Sequence, residues 1–542
     1  LPALFVLLVG LLPISAGDTY FETSKNLEIF SDIFRELNIY YVDEINPSQL
    51  IRKGIDAMLE SLDPYTNFIS EAELEGYRFQ TTGKYGGIGA IIRKKGDHIA
   101  IIEPYEGSPC VEAGLRAGDI ILAVDGKSTV GRSVEDISKL LKGQPGTEVK
   151  VKIRRPVSDE VMTKTIVRQE IKIDNVPYSG MVSDGIGYIR LDQFTQNAGD
   201  NVADALERLE SNYPLKGLIL DLRGNPGGLL NEAVNVSNIF IDRGKLVVST
   251  KGKVKDWDRD FNTMRKPVDL DIPLVVLTNH GSASASEIVA GTLQDYDRAV
   301  ILGQLTYGKG LVQQTRDLSY NTKLKLTTAK YYIPSGRCIQ AINYSNRDDN
   351  GDATRIPDSL KRAFKTSNGR IVYDGGGIEP DLKVEPQKLS LITKALLRQD
   401  LIFDYATEYA YQHPEIPDPE SFVLTDEDFE GFKNWLKDKD FDYQTSSEQK
   451  LEELELKLQE ENYFDSVKED LQHLRASIAH DKSKDLEKYK DEILDQIRLE
   501  LVTRYYFRPG RIRASFSRDP FLKAAINLLN DTAAYHSLLK PQ

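Results

Sequence analysis

The chain has 542 residues, 69 of them Lys or Arg and 83 Asp or Glu, for a formal net charge of −14. With 40% hydrophobic and 28% charged residues, it has a globular composition long enough for three or more domains, which excludes a disordered, collagen-like or multi-span membrane protein. The acidic balance argues against nucleic acid as a partner; the two cysteines, Cys110 and Cys338, exclude a disulfide-rich scaffold and a four-cysteine zinc site and leave a single pairing open.

Leu1 to Gly17 carries no charge before Asp18. It suits the apolar region of a secretion signal, or a truncated membrane anchor. No later apolar run is long enough to span a bilayer. The remainder is therefore expected on the periplasmic or extracytoplasmic side, touching the membrane only through this segment. Residues 18–83 read as an N-terminal helical region. Its apolar stripes are Leu27, Ile29, Phe30, Ile33, Phe34 and Leu37, then Ile51, Ile55, Met58 and Leu59. Residues 84–156 switch to short β-rich runs with turn glycines. Residues 157–386 alternate strands and helices. Within them, 344–369 is polar and reads as a surface loop. Residues 387–542 are helical and charged. The segments Glu452 to Glu461 and Asp481 to Glu492 are expected to be solvated helix faces.

In the β-rich stretch, Tyr85-Gly86-Gly87-Ile88-Gly89 precedes an expected strand, Ala90 to Arg93. Ala113-Gly114-Leu115-Arg116-Ala117-Gly118-Asp119 follows, then a strand, the turn Asp125-Gly126, and a helix from Ser133. This order resembles a circularly permuted bacterial PDZ domain. A Gly-rich turn can offer backbone N–H groups to a terminal carboxylate, and the adjoining strand edge can accept a peptide as an extra strand. Gly86, Gly87 and Gly89 are the candidate carboxylate site. Ile88, Ile137 and Leu141 are the candidate pocket for an apolar last side chain.

Three segments carry the candidate chemistry. Ile272 to Thr278 is a buried-strand pattern running into Asn279-His280-Gly281-Ser282-Ala283-Ser284-Ala285-Ser286-Glu287 and a helix. A serine in such a turn projects beside a helix N-terminus, which favours developing negative charge. Ser284-x-x-Glu287 also reads as a plain capping box. Gly217 to Arg223 is a strand ending in Gly224-Asn225-Pro226-Gly227-Gly228, whose paired glycines permit the close backbone approach of an oxyanion hole. Tyr307-Gly308-Lys309-Gly310 places a lysine between glycines ahead of a strand. An unperturbed lysine, with a pKa of about 10.4, is a poor base at neutral pH; burial can bring it to about 7–8.

Together with the PDZ-like stretch, these segments resemble the C-terminal processing peptidases, also called tail-specific proteases. The family pattern is D-L-R-x-N-x-G-G, then S-A-S-A-S-E, then a lysine 25 residues after the nucleophile, as Lys309 is after Ser284. The likeness covers roughly residues 25–386. It implies an α/β, crotonase-like protease core with an inserted PDZ domain. It also implies Ser284 as nucleophile, Lys309 as general base and Gln313 as the residue orienting that lysine. The amides of Ala285 and of the Gly227–Gly228 pair would form the oxyanion hole. Glu287 and Asp295 also match family positions and are expected to be mainly structural.

Two other chemistries compete. A Ser-His-Asp triad would have to use His280, since four of the six histidines lie beyond residue 400. Gly303 to Lys309 imitates a phosphate-binding loop, but Gly310 stands where Ser or Thr should hold magnesium and a strand-like run follows. No metal-ligand spacing appears, so neither metal nor cofactor is expected. The resulting expectation is an exported Ser-Lys endopeptidase that takes protein or peptide substrates by apolar C-termini. A PDZ scaffold with an inactive core, and an assembly protein built on the C-terminal helices, are the rivals. A homo-oligomer or an adaptor protein is left open.

Overall fold

The computed structural model describes residues 16–348, 351–482 and 484–541. The expected export segment therefore lies almost wholly outside the described residues. Among the described residues no helix is long and apolar enough to cross a membrane.

The chain divides into two compact units. Among the described residues, the first comprises 16–71 and Gln313–Thr327. Its helices are Ala16–Tyr40 and Pro47–Glu60. The second begins where the Asn46 side chain accepts the N–H of Gln49, with Pro47 in the first turn. The first carries the expected stripe but leaves it uncovered: Leu27, Phe30 and Ile33 are 65%, 51% and 54% exposed. Strand Asn67–Ile69 pairs antiparallel with Lys323–Lys325. Asp63 ties the unit together. It accepts the N–H groups of Tyr65 and Thr66 and the hydroxyls of Thr66 and Thr327.

The second unit holds everything else. Its β-rich part is an antiparallel sheet in the order Ala90–Lys95, His98–Pro104, Ile120–Val124, Glu148–Arg155, Glu160–Val167. Strand Glu148–Arg155 alternates exposed and buried residues, as a half-covered sheet requires. The sheet runs past residue 156, where the sequence had suggested its end, because Glu148–Arg155 is hairpin-paired to Glu160–Val167.

The central sheet has the order Tyr178–Ser183, Ile186–Arg190, Gly217–Asp221, Leu274–Thr278, Val300–Gly303, Leu382–Lys383. The first pair is antiparallel and the others parallel. Both faces are covered, which explains the unbroken apolar strand sequences. Ile189, Leu218, Leu220, Leu274, Val276 and Ile301 face helices Ala198–Asn212, Leu230–Phe240 and Ala285–Asp295. Tyr188, Ile219, Val275, Leu277 and Leu302 face helices Pro520–Asn530 and Thr532–Leu538 through Phe521, Leu522, Ala525, Leu528 and Tyr535. The last two helices thus pack on the core sheet and complete its cover. Residues 392–514 do build a helical core of their own, around Phe429, Phe432, Ile493, Ile497 and Leu501.

Two further expectations are corrected. The stretch 344–369 is not simply a loop: Ile342–Arg347 pairs with Ala353–Arg355, and Ala363–Lys365 with Ile371–Tyr373. Cys110 and Cys338 are both free, so the pairing left open by the sequence is not made.

Candidate active site

The strand Leu274–Thr278 is buried along its whole length and delivers the chain into the turn that holds Ser284. That turn is laced to the glycine loop after Gly217–Asp221. Asn279 Oδ1 accepts the N–H groups of Gly224 and Gly281. Ser282 Oγ donates to the Leu222 carbonyl, and the Ala283 N–H and Ser286 hydroxyl both donate to the Asn225 carbonyl. A small-residue run was needed here because two loops share one narrow space. A Cβ on Gly227 would stand 2.7 Å from the Ala283 oxygen and 2.8 Å from Ser284 Cβ.

Ser284 caps helix Ala285–Asp295 with φ 55° and ψ −112°. This is a sparsely populated conformation for a residue with a side chain, of a kind that costs about 1–3 kcal/mol and is kept where function requires it. A serine on a sharp strand-to-helix turn is the arrangement that exposes a nucleophile next to helix N-terminal amides.

Two amides of the serine turn and its glycine loop have no protein acceptor among the described residues. The Ala285 N–H is one, at the first turn of the helix. In the glycine pair, the Gly227 N–H is taken by Asn225 Oδ1 at 2.9 Å. Gly228, bridged to Phe194 in parallel fashion, has no such bond. The sequence could not choose between these glycines; in the structure the fully buried Asn225 occupies the N–H of Gly227.

Lys309 is half-buried. Gly308 precedes it at φ 88°, where a Cβ would lie 2.3 Å from that of Ala341, so only glycine fits. The Lys309 N–H donates to Glu287 Oε2 at 2.9 Å, and the Ser284 N–H donates to the same oxygen at 2.8 Å. Glu287 Oε1 accepts from the Thr306 hydroxyl at 2.6 Å and the Gly308 N–H at 2.7 Å. Burial pushes the Glu287 carboxyl up to about 7, against the pull of these four donors. The Tyr331 hydroxyl donates to the Lys309 carbonyl and also reaches the Ser284 carbonyl at 3.2 Å.

A buried ion network underlies the glycine loop. Asp221 is wholly buried, which by itself would raise its pKa; the guanidinium groups of Arg223 and Arg190 and the Tyr188 hydroxyl hold it at about 2. Arg223 also pairs with both oxygens of Asp519 at 3.0 and 2.7 Å. Asp519 caps helix Pro520–Asn530. Only the final fold brings residues 296 positions apart together, so this pair was not legible in the local pattern.

The structure thus gathers Ser284, Ala285, Gly227, Gly228 and Lys309. Gln313 falls in the other compact unit, where its Nε2 donates to Thr327 Oγ1. His280 is exposed and makes no hydrogen bond among the described residues, so the triad alternative has no geometry behind it. Gly303 to Lys309 leads into strand Leu311–Leu318, not the helix a phosphate-binding loop needs.

In the PDZ-like part, strand Lys84–Gly87 is already paired with Gln169–Lys172, opposing Gly86 to Glu170 and Gly87 to Gln169. Gly89 is buried beside them. Ile88, Ile137 and Leu141, expected to line an open pocket, are 3%, 0% and 4% exposed and sit in the core of this domain. Strand Ala90–Lys95 does lie at the sheet's edge. Its outer residues are engaged: Arg93 pairs with Asp400 at 2.6 Å, and Lys95 pairs with Asp404. The first precedes and the second lies on helix Leu401–Gln412. A cavity of about 400 Å³ lies between the two parts, lined by Glu103, Arg155, Tyr411, Glu500, Arg504 and Phe507 among others.

Three family models match the chain: peptidase family S41 over residues 185–345, PDZ domain over 101–155, and the C-terminal helical domain of a probable PDZ-protease over 392–529. A carboxy-terminal-processing protease of Bartonella bacilliformis is 39% identical over 323 residues, covering 59% of this chain and 74% of that protein. A probable CtpA-like serine protease of Staphylococcus aureus is 37% identical over 317 residues, covering 58% of this chain and 62% of the relative. Among solved structures, a photosystem II D1 C-terminal processing protease is 29% identical, with 67% of this chain and 93% of that one covered and a TM-score of 0.36. On the S41 and PDZ matches and the likeness to the Bartonella enzyme, the chain belongs to the carboxy-terminal-processing serine proteases of peptidase family S41.

Proposed function

We propose that this protein is an exported endopeptidase in which Ser284 attacks the scissile carbonyl and Lys309 is the general base. The observation that carries this reading is the shared anchor: both main-chain N–H groups bond to one carboxylate oxygen, so the two residues are held less than two hydrogen-bond lengths apart at the backbone. Neutral Lys309 takes the Ser284 proton as the Ser284 oxygen bonds to the carbonyl carbon. The oxyanion is received by the N–H groups of Ala285 and Gly228, which lack protein acceptors among the described residues. The amine leaves with a proton, and water then cleaves the acyl-enzyme.

The PDZ domain selects free, apolar C-termini. The edge strand Ala90–Lys95 accepts the tail as an added strand. Because Ile88, Ile137 and Leu141 are packed away, a terminal side chain reaches them only by opening that packing, which lowers the apparent affinity. Export through the N-terminal segment places the enzyme on the extracytoplasmic side. Purified protein is incubated with an unfolded substrate bearing a free, apolar C-terminus, beside Ser284→Ala and Lys309→Ala. Cleavage by the parent alone supports the reading. Cleavage by either variant removes it.

A further inference from the structure

Resting on the Ser-Lys reading, we propose that Glu287 and Tyr331 are positioning residues of that dyad, the carboxylate gathering the amides of the serine turn and the lysine loop and the phenol gathering their carbonyls. A glutamate that merely closes a capping box needs one donor, the N–H of the cap residue. Glu287 has that bond from Ser284 and three more, from Thr306, Gly308 and Lys309, all on the other loop. Each carboxylate oxygen accepts two, so the acceptor capacity of the ionised group is filled. Glutamine could not replace it: its amide would present donors to donors.

On the opposite edge, Tyr331 is 1% exposed and stands on the strand paired with Leu246–Gly252, opposite Thr250. Its hydroxyl reaches the carbonyls of the same two residues that Glu287 holds by their amides. Ser284 and Lys309 are therefore held by both their N–H and their carbonyl groups by two side chains from outside the dyad. Neither side chain needs to touch substrate. Misplacement of a reacting pair by about 1 Å can cost about 100-fold in rate, and that is the effect this frame prevents.

The test uses the full chain with a free-acid peptide substrate. In Glu287→Gln, kcat should fall about 100-fold with KM within about threefold, since the tail site is elsewhere. Glu287→Asp, which keeps a shortened carboxylate, should recover part of the loss. Tyr331→Phe should lose about tenfold in kcat with little change in thermal midpoint. Folded Glu287→Gln or Tyr331→Phe protein with parental kcat, or a loss confined to KM, overturns the proposal. Should the Glu287 variants not fold, Tyr331→Phe decides it alone by the same criterion. Ser284→Ala is run alongside: activity there would remove the Ser-Lys reading, whereas an inactive Ser284→Ala beside a fully active Tyr331→Phe removes only the positioning role.

Discussion

Ser284 and Lys309 donate their main-chain N–H groups to the same atom, Oε2 of Glu287, at 2.8 and 2.9 Å. The relationship fixes the serine turn against the lysine loop through backbone bonds. Ser284→Ala and Lys309→Ala should each abolish proteolysis without unfolding the chain. Because the two act as one unit, the double variant should be little worse than either. His280→Ala, altering an exposed side chain, should keep most activity in the same assay.

Acid stability should reveal the buried ion network. The Asp221 carboxyl falls from its ordinary 3.8 to about 2 in the fold. A lowered carboxyl pKa means the unfolded chain binds the proton first. The stabilisation is therefore fully present above about pH 4 and is lost as pH falls through about 2. Glu287 acts with the opposite sign: raised from 4.5 to about 7, it withdraws stability as pH rises across that window. Thermal midpoints followed from pH 2 to 8 should lose the acid-side slope in Asp221→Asn and the neutral-side slope in Glu287→Gln. Unchanged slopes in both variants would count against these assignments.

The last two helices should be indispensable to the protease core. Phe521 is 4% exposed, packs on the central sheet and lies under Arg223, whose guanidinium is 4.9 Å from the ring centroid. Phe521→Ala should cost about 3–5 kcal/mol. Deleting residues 516–542 should strip one whole face of the sheet and yield aggregated protein. Denaturant unfolding and light scattering check both. A folded, active truncation would show that the helices are an appendage.

The ion pairs holding the PDZ strand to the helical part are solvent-accessible, with side chains 49% and 21% exposed in Arg93–Asp400 and 26% and 32% in Lys95–Asp404. Such pairs are worth about 0–1 kcal/mol each. Asp400→Asn with Asp404→Asn should therefore leave the thermal midpoint nearly unchanged. Asn is tolerated at position 400, where φ is 60°. Amide exchange in Ala90–Lys95 should nevertheless quicken, and raised salt should mimic the double variant in the parent protein. Equal exchange in parent and variant would show the contact to be incidental.

Tail selection should depend on the terminal carboxylate. Amidating the substrate, or ending it in Asp, should slow cleavage below KM by about tenfold or more, as expected for a buried polar group left unpaired. Gly87→Val should do the same while sparing hydrolysis of a small activated ester, because a Cβ there meets the Tyr85 ring at 2.7 Å and nothing near Ser284. Amidated and free-acid substrates cut at equal rates would make the PDZ part a spacer.

What was legible in the sequence was local. A buried strand, a run of small residues and a helix put Ser284 on a turn, and glycines on both sides marked Lys309, because these depend on neighbours a few residues away. The partners that organise them were not legible. Tyr331 reaches Ser284 across 47 positions, and Asp519 reaches Arg223 across 296, with nothing in either local pattern to announce it. One signal was available for the second helical layer. The all-apolar runs Leu218 to Leu220 and Leu274 to Leu277 require cover on two faces, and the final helices supply it. Ile88, Ile137 and Leu141 were read as a pocket because an apolar cluster beside a strand edge looks the same in sequence whether it is open or filled by its own neighbours.

The most direct measurement is the rate at which a fluorophosphonate labels the intact protein as a function of pH, with the adduct mapped by peptide mass. A single adduct on Ser284, forming faster as pH rises and not forming in Lys309→Ala, is the predicted result. An adduct on another residue, or a Lys309→Ala protein labelled at the parental rate, would contradict a Ser284–Lys309 dyad.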